Sequence, residues 1–101
     1  MSVSADFDAG SKSTRIKVSG RFDFGCHQQF RQAYEGSPGK GGRYVVDLGQ
    51  TEYMDSSALG MLLMLREYAG GESSDVRITN PREEIMKVLQ IANFQKLFRI
   101  G

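Results

Sequence analysis

The residues best placed to do chemistry are Met54-Asp55-Ser56-Ser57, directly ahead of the run Ala58-Leu59-Gly60-Met61-Leu62-Leu63-Met64-Leu65. A carboxylate and two hydroxyls in front of an apolar run form the pattern of a capped helix start. With Asp55 as the cap, its carboxylate accepts the backbone N–H of Ser57 or Ala58, and Ser56 becomes the first helical residue. Its hydroxyl is then exposed at the positive end of the helix dipole. The chemistry that suits such a hydroxyl is modification. A phosphate on Ser56 is tolerated by the helix terminus, yet it sets roughly −1.5 to −2 charges beside Asp55. A partner packed on the bare corner would meet a dianion, a repulsion of several kcal/mol and enough to abolish a micromolar complex. The same spacing also describes ordinary capping with no switch attached.

The helical wheel adds a surface to the corner. At 100° per residue, Ala58, Leu62, Leu65 and Ala69 share the face that should meet a sheet. Ser56, Gly60, Leu63, Met64 and Glu67 fall on the other side. Leu63 and Met64 therefore stand where a solvated helix carries Lys or Glu, beside Gly60, which costs up to about 1 kcal/mol relative to Ala. Soft Met next to bare Gly suits docking. The alternative is that another part of the chain, such as the carboxyl-terminal tail, covers them.

The elements that must position this corner read as follows. Val3 to Phe7 alternates weakly as a short edge strand, and Asp8 to Ser13 is a turn. Thr14 to Gly20 has period two, with Ile16 and Val18 on one side and Arg15 and Lys17 on the other: a half-buried strand paired with the first. An amphipathic helix runs from Cys26 to about Glu35 with Phe30, Ala33 and Tyr34 inward, and stops at the glycine-rich connector Gly36–Gly42. Arg43 to Leu48 is nearly continuous apolar sequence, as for a strand covered on both faces. Gly49 to Met54 reads as a connection, and the second helix spans about Ser56 to Tyr68, ending at Gly70-Gly71. Val76 to Thr79 is a further strand. Asn80-Pro81-Arg82-Glu83 reads as a helix start with Asn80 the cap and Pro81 the first helical residue. Ile85, Val88, Leu89 and Ala92 form its stripe; Asn93 breaks it, and Phe94, Leu97, Phe98 and Ile100 dock on the sheet. The order predicts one α/β domain over residues 1–101, with a mixed four- to five-stranded sheet and helices mainly on one face.

Bulk properties narrow the function. The chain of 101 residues is 40% hydrophobic and 25% charged, with 13 basic and 12 acidic residues and a formal net charge of +1. The basic residues are scattered, so neither nucleic acid nor an anionic membrane is an expected partner. A single cysteine, Cys26, fits a reducing compartment; no signal peptide is visible, and a cytoplasmic domain is the expectation. Gly36-Ser37-Pro38-Gly39-Lys40-Gly41-Gly42 lacks the spacing of a phosphate-binding loop. Cys26 and His27, as helix neighbours, diverge by about 100° and make a poor thiol–imidazole pair. One His and one Cys do not make a zinc site, no carboxylate pair stands out, and no metal, cofactor or catalytic residue is expected.

Met54-Asp55-Ser56-Ser57-Ala58-Leu59-Gly60, preceded by the strand Val45-Val46-Asp47-Leu48, resembles the signature of the STAS domain family of bacterial anti-sigma-factor antagonists. Gly20-Arg21-Phe22-Asp23 is similar to the family's Gly-x-aliphatic-Asp step, with Phe22 for the usual aliphatic residue. Val76 to Pro81, and Leu89 to Ile100, match its last strand and closing helix and tail, although Asn93-Phe94 replaces a common Gly-Leu pair. The resemblance implies a regulatory module, not an enzyme, in a partner-switching pathway: the unmodified antagonist binds an anti-sigma factor that is also a serine kinase, phosphorylation releases it, and a PP2C-type phosphatase resets it. It implies Ser56 as the acceptor, with Asp55 as its capping neighbour and Asp23 nearby; Ser57 is expected to support the switch, Phe24, Met54, Gly60, Leu63 and Met64 to form the partner surface, and the free chain to be a monomer. A nucleotide- or small-anion-sensing module, or a subunit of a larger sensory complex, is the alternative.

Overall fold

A computed structural model of the chain describes residues 2–36 and 43–101; the connector read at Gly36–Gly42 lies, beyond Gly36, outside the described residues. In chain order the elements are β1 (Ser2–Asp8), β2 (Ser13–Phe22), α1 (His27–Glu35), β3 (Arg43–Asp47), β4 (Thr51–Met54), α2 (Ser56–Tyr68), β5 (Asp75–Thr79), α3 (Glu83–Ile91) and β6 (Arg99–Ile100). Short 3-10 turns occupy Phe24–Cys26, Gly71–Ser73 and Phe94–Lys96. The strands form a mixed sheet in the order β1-β2-β3-β5-β6, with β4 paired to β2 off that path. Among the described strands, β1 and β2 pair antiparallel and the other pairs are parallel.

Period two in β2 dictates which face is buried. Ile16 and Val18 point inward with Tyr44 and Val46 of β3 and Val76 and Ile78 of β5, all within 5% of full burial. They meet Phe30 and Tyr34 of α1, Ala58, Met61, Leu62 and Leu65 of α2, and Ile85 and Leu89 of α3 in one core. The opposite face carries Arg15, Lys17, Arg77 and Arg99 into solvent. β3 is thus covered on one face, not both: Val45, which made its sequence look continuously apolar, is only half-buried among charged neighbours.

β2 is long because one of its edges serves two partners. Residues 13–17 pair with β3, and Gly20 to Phe22 pair with β4. Between them the register shifts at Gly20/Arg21, a bulge that turns the upper half of the strand. Gly20 takes φ +82°, left-handed backbone that suits glycine. Its N–H donates to the Gln50 carbonyl at 2.9 Å, and the buried Thr51 hydroxyl donates to the Val18 carbonyl at 2.8 Å.

Among the described residues six strands are present where four to five were expected. β4 lies inside the stretch read as a connection, and β6 inside the apolar tail, where Ile100 pairs with Ile78. Both are short and exist through pairing with distant residues, which local periodicity does not register. The start of α3 also differs: Arg82, not Asn80, is the N-cap residue, with no side-chain cap bond. Asn80 instead adopts φ +58° and donates from its side chain to Asp47 at 3.4 Å. Asn93 breaks α3 at φ +61°, and Phe94 and Phe98 dock into the core as expected, while Leu97 remains exposed.

Gly20→Ala should cost about 1–2 kcal/mol, because a Cβ disfavours left-handed backbone. Urea unfolding checks this; an unchanged midpoint would mean the bulge relaxes freely.

Candidate functional site

The site is assembled where β2 and β4 end side by side. Phe22 is in register with Met54, and the Asp55 N–H donates to the Phe22 carbonyl at 3.4 Å. Asp23 and Asp55 therefore leave adjacent strands together. Each then caps the helical turn that follows it. Asp23 accepts the Gly25 N–H at 3.0 Å to start the Phe24–Cys26 turn, and its other oxygen meets Arg21 Nε at 3.3 Å.

Asp55 has extended backbone and accepts the Ala58 N–H at 3.1 Å, so α2 begins at Ser56 as its spacing predicts. The same carboxylate oxygen accepts the Ser57 hydroxyl at 2.6 Å. This hydrogen bond is the largest influence on the Asp55 carboxyl; with the Ala58 and Ser57 N–H groups it outweighs partial burial and holds the pKa below its ordinary value. Asp55 is thus ionised at neutral pH. Ser57 is half-buried and committed to the cap, whereas the Ser56 hydroxyl is exposed and has no hydrogen-bond partner among the described residues.

The surface around Ser56 is apolar in places. Phe24 is 70% exposed and stacks on His27 with ring centroids 5.5 Å apart. Further along α2, Leu63 and Met64 are 39% and 47% exposed. A Cβ at Gly60 would meet nothing within 4 Å, so that backbone is bare. Leu63 and Met64 border an open groove of about 330 Å³ shared with Tyr34 of α1 and Tyr68. The carboxyl-terminal tail does not cover them. Met54 is a correction to the expected partner surface: it is 6% exposed, sealed into the core as the inward residue of β4, and offers no side chain to a partner.

Sequence reasoning missed Tyr53 and Arg21. They are register partners across β2 and β4, and the Arg21 guanidinium lies 4.1 Å from the centre of the exposed Tyr53 ring. Their meeting depends on the bulge at Gly20 and has no local signal. The Cys26 thiol is buried and donates to the Arg21 carbonyl at 3.2 Å. Among the described residues no group of three or more potential metal ligands occurs, and no helix is long and apolar enough to cross a membrane.

This α/β sheet, with its capped serine corner at the head of α2, is a STAS domain: the family model described as "Mlab, STAS domain" matches residues 5–99, and the chain belongs to that family. A STAS-domain containing protein of Pseudomonas aeruginosa (strain UCBPP-PA14) is 49% identical over 101 residues, with all of both chains covered. Among solved structures, the anti-sigma factor antagonist SpoIIAA in its unphosphorylated form is similar with a TM-score of 0.78 at 16% identity, covering 99% of this chain and 88% of that one. The phosphorylated form of the Bacillus cell fate determinant SpoIIAA is similar with a TM-score of 0.69 at 16% identity, covering 99% and 91%. At such identities the likeness is one of fold.

Asp55→Ala should cost about 1 kcal/mol, as loss of a helix cap does. The Asp55 carboxyl has a folded-state pKa below its unfolded value, so its contribution is full above the unfolded pKa, about 4, and disappears as pH falls through the folded one. The gap in urea midpoint between wild type and variant should therefore narrow below about pH 4; a pH-independent gap would mean the carboxylate's charge is irrelevant. Gly60→Ala should raise stability by up to about 1 kcal/mol, or about 4–8 °C in melting temperature, since the added methyl meets nothing.

Proposed function

We propose that the protein is an anti-sigma-factor antagonist in a partner-switching pathway, regulated by phosphorylation of Ser56. The observation that carries this reading is the division of labour between the two serines. Ser57 donates its hydroxyl to Asp55 at 2.6 Å, and Ser56 keeps an exposed, unengaged hydroxyl at the head of α2. A kinase can reach only the second kind without dismantling the cap.

In the unmodified state a partner packs over the corner and the exposed Phe24, Leu63 and Met64, with bare Gly60 allowing close approach. Phosphorylation places roughly −1.5 to −2 charges beside an already ionised Asp55. The helix terminus tolerates the dianion within this chain. A partner that must desolvate it does not, and the complex dissociates. The partner is an anti-sigma factor that also acts as the serine kinase, and a PP2C-type phosphatase restores the hydroxyl. Asp23 braces the neighbouring turn and keeps Arg21 on Tyr53, at the rim of the same surface. The chain itself acts as a binding module, a cytoplasmic monomer when free.

Site-mapped mass spectrometry of protein from its own cells should find one phosphate, on Ser56. Ser56→Ala should bind the co-purifying partner constitutively, and Ser56→Asp should weaken that complex at least tenfold. Stoichiometric phosphorylation of Ser57 in the Ser56→Ala protein would overturn the assignment.

A further inference from the structure

The solvent-facing side of the sheet carries a separate arrangement, near the amino ends of β3 and β5 and away from the serine corner. On that face two ion pairs tie neighbouring strands. Arg15 of β2 meets Asp47 of β3 at 3.3 Å, and Arg43 of β3 meets Asp75 of β5 at 3.1 Å. Among the described residues no such pair forms between the last two strands. Arg77 of β5 is in register with Arg99 of β6, and its neighbour on the other side is Val45. Neither guanidinium makes a hydrogen bond or ion pair among the described residues. Like charges set directly opposite in a ladder destabilise it, so the fold keeps an unfavourable pair that it neutralises elsewhere.

A cleft of about 200 Å³ opens over this pair, lined also by Arg43, Asp75, Ser11 and Ser13. The two serine hydroxyls come from the β1–β2 turn and the start of β2, lie 2.6 Å apart, and are engaged within the chain, Ser11 donating to Asp8 at 2.9 Å. Among the lining side chains three guanidiniums stand against one carboxylate, with Asp8 behind Ser11 a second, so positive charge stays in surplus. Planar guanidinium forks match the oxygens of a phosphate. The volume falls below the 300–1,000 Å³ or so of pockets for drug-sized ligands, which restricts the occupant to a small anion.

We propose that this edge of the open face binds a small, multiply charged phosphate-type anion, gripped by Arg77 and Arg99 with Arg43 beside them. The anion replaces the missing carboxylates and relieves the Arg77–Arg99 repulsion. The proposal is independent of the role of Ser56.

Titration of the full chain with inorganic pyrophosphate at low salt, followed by amide NMR, should shift residues around Arg43, Arg77 and Arg99 and leave Ser56 unmoved. Arg77→Gln and Arg99→Gln should each weaken binding at least tenfold, as loss of a charge-assisted hydrogen bond implies. Both side chains are exposed, so both variants should fold. Without anion at low salt, each should melt above wild type, because the opposed charge is gone; with saturating pyrophosphate the order should reverse. Glucose 6-phosphate serves as the second probe: tighter binding of pyrophosphate assigns the free anion, and tighter binding of the sugar phosphate assigns a phosphorylated metabolite. Either result upholds the site. No shift at millimolar pyrophosphate, shifts centred on Ser56, or equal binding by the Arg77→Gln/Arg99→Gln double variant would overturn it.

Discussion

The Asp55 carboxylate is the interaction on which the corner depends. One oxygen accepts both the Ala58 N–H and the Ser57 hydroxyl, so a single group starts α2 and occupies one of two adjacent serines. What it leaves over is Ser56. Because the same bonds hold the carboxyl ionised, negative charge is already present beside the hydroxyl that remains free. Geometry and electrostatics at this corner thus have one source.

That carboxylate is held in place by the sheet. Met54 is drawn into the core and Asp55 is tied to the Phe22 carbonyl, so the position of the cap is inherited from the pairing of β2 with β4. The pairing in turn requires the bulge at Gly20, where left-handed backbone lets one edge of β2 serve β3 first and β4 afterwards. The Gly-x-x-Asp step and the serine corner, 32 residues apart in their aspartates, are joined physically through this ladder. Exposure on α2 follows from the same constraint. Once Ala58, Leu62 and Leu65 are turned to the sheet, Leu63 and Met64 have nowhere to go but outward.

The open face of the sheet obeys a different rule. Its two salt bridges among the described residues, Arg15–Asp47 and Arg43–Asp75, lie near the surface and are individually worth little, and neither reaches Arg77 or Arg99. An edge strand of two residues offers few positions for a carboxylate, and the one on this face is taken by Arg99.

Local sequence was sufficient for the features that depend on neighbours along the chain. The cap at Asp55, the span of α2 from Ser56 to Tyr68, its buried stripe and the break at Asn93 follow from bonds and packing within a few residues, and the structure places them as read. The family was legible for the same reason, since its signature is a contiguous turn. Tertiary structure alone decided which residues the corner presents. β4 and β6 exist by pairing with distant backbone, Asn80 is diverted from a cap to Asp47, Met54 is buried by its partner strand, and Arg21 meets Tyr53 only across the bulge. A hydrogen bond between residues 30 apart depends on where the whole chain closes, and no window of a few residues carries that information.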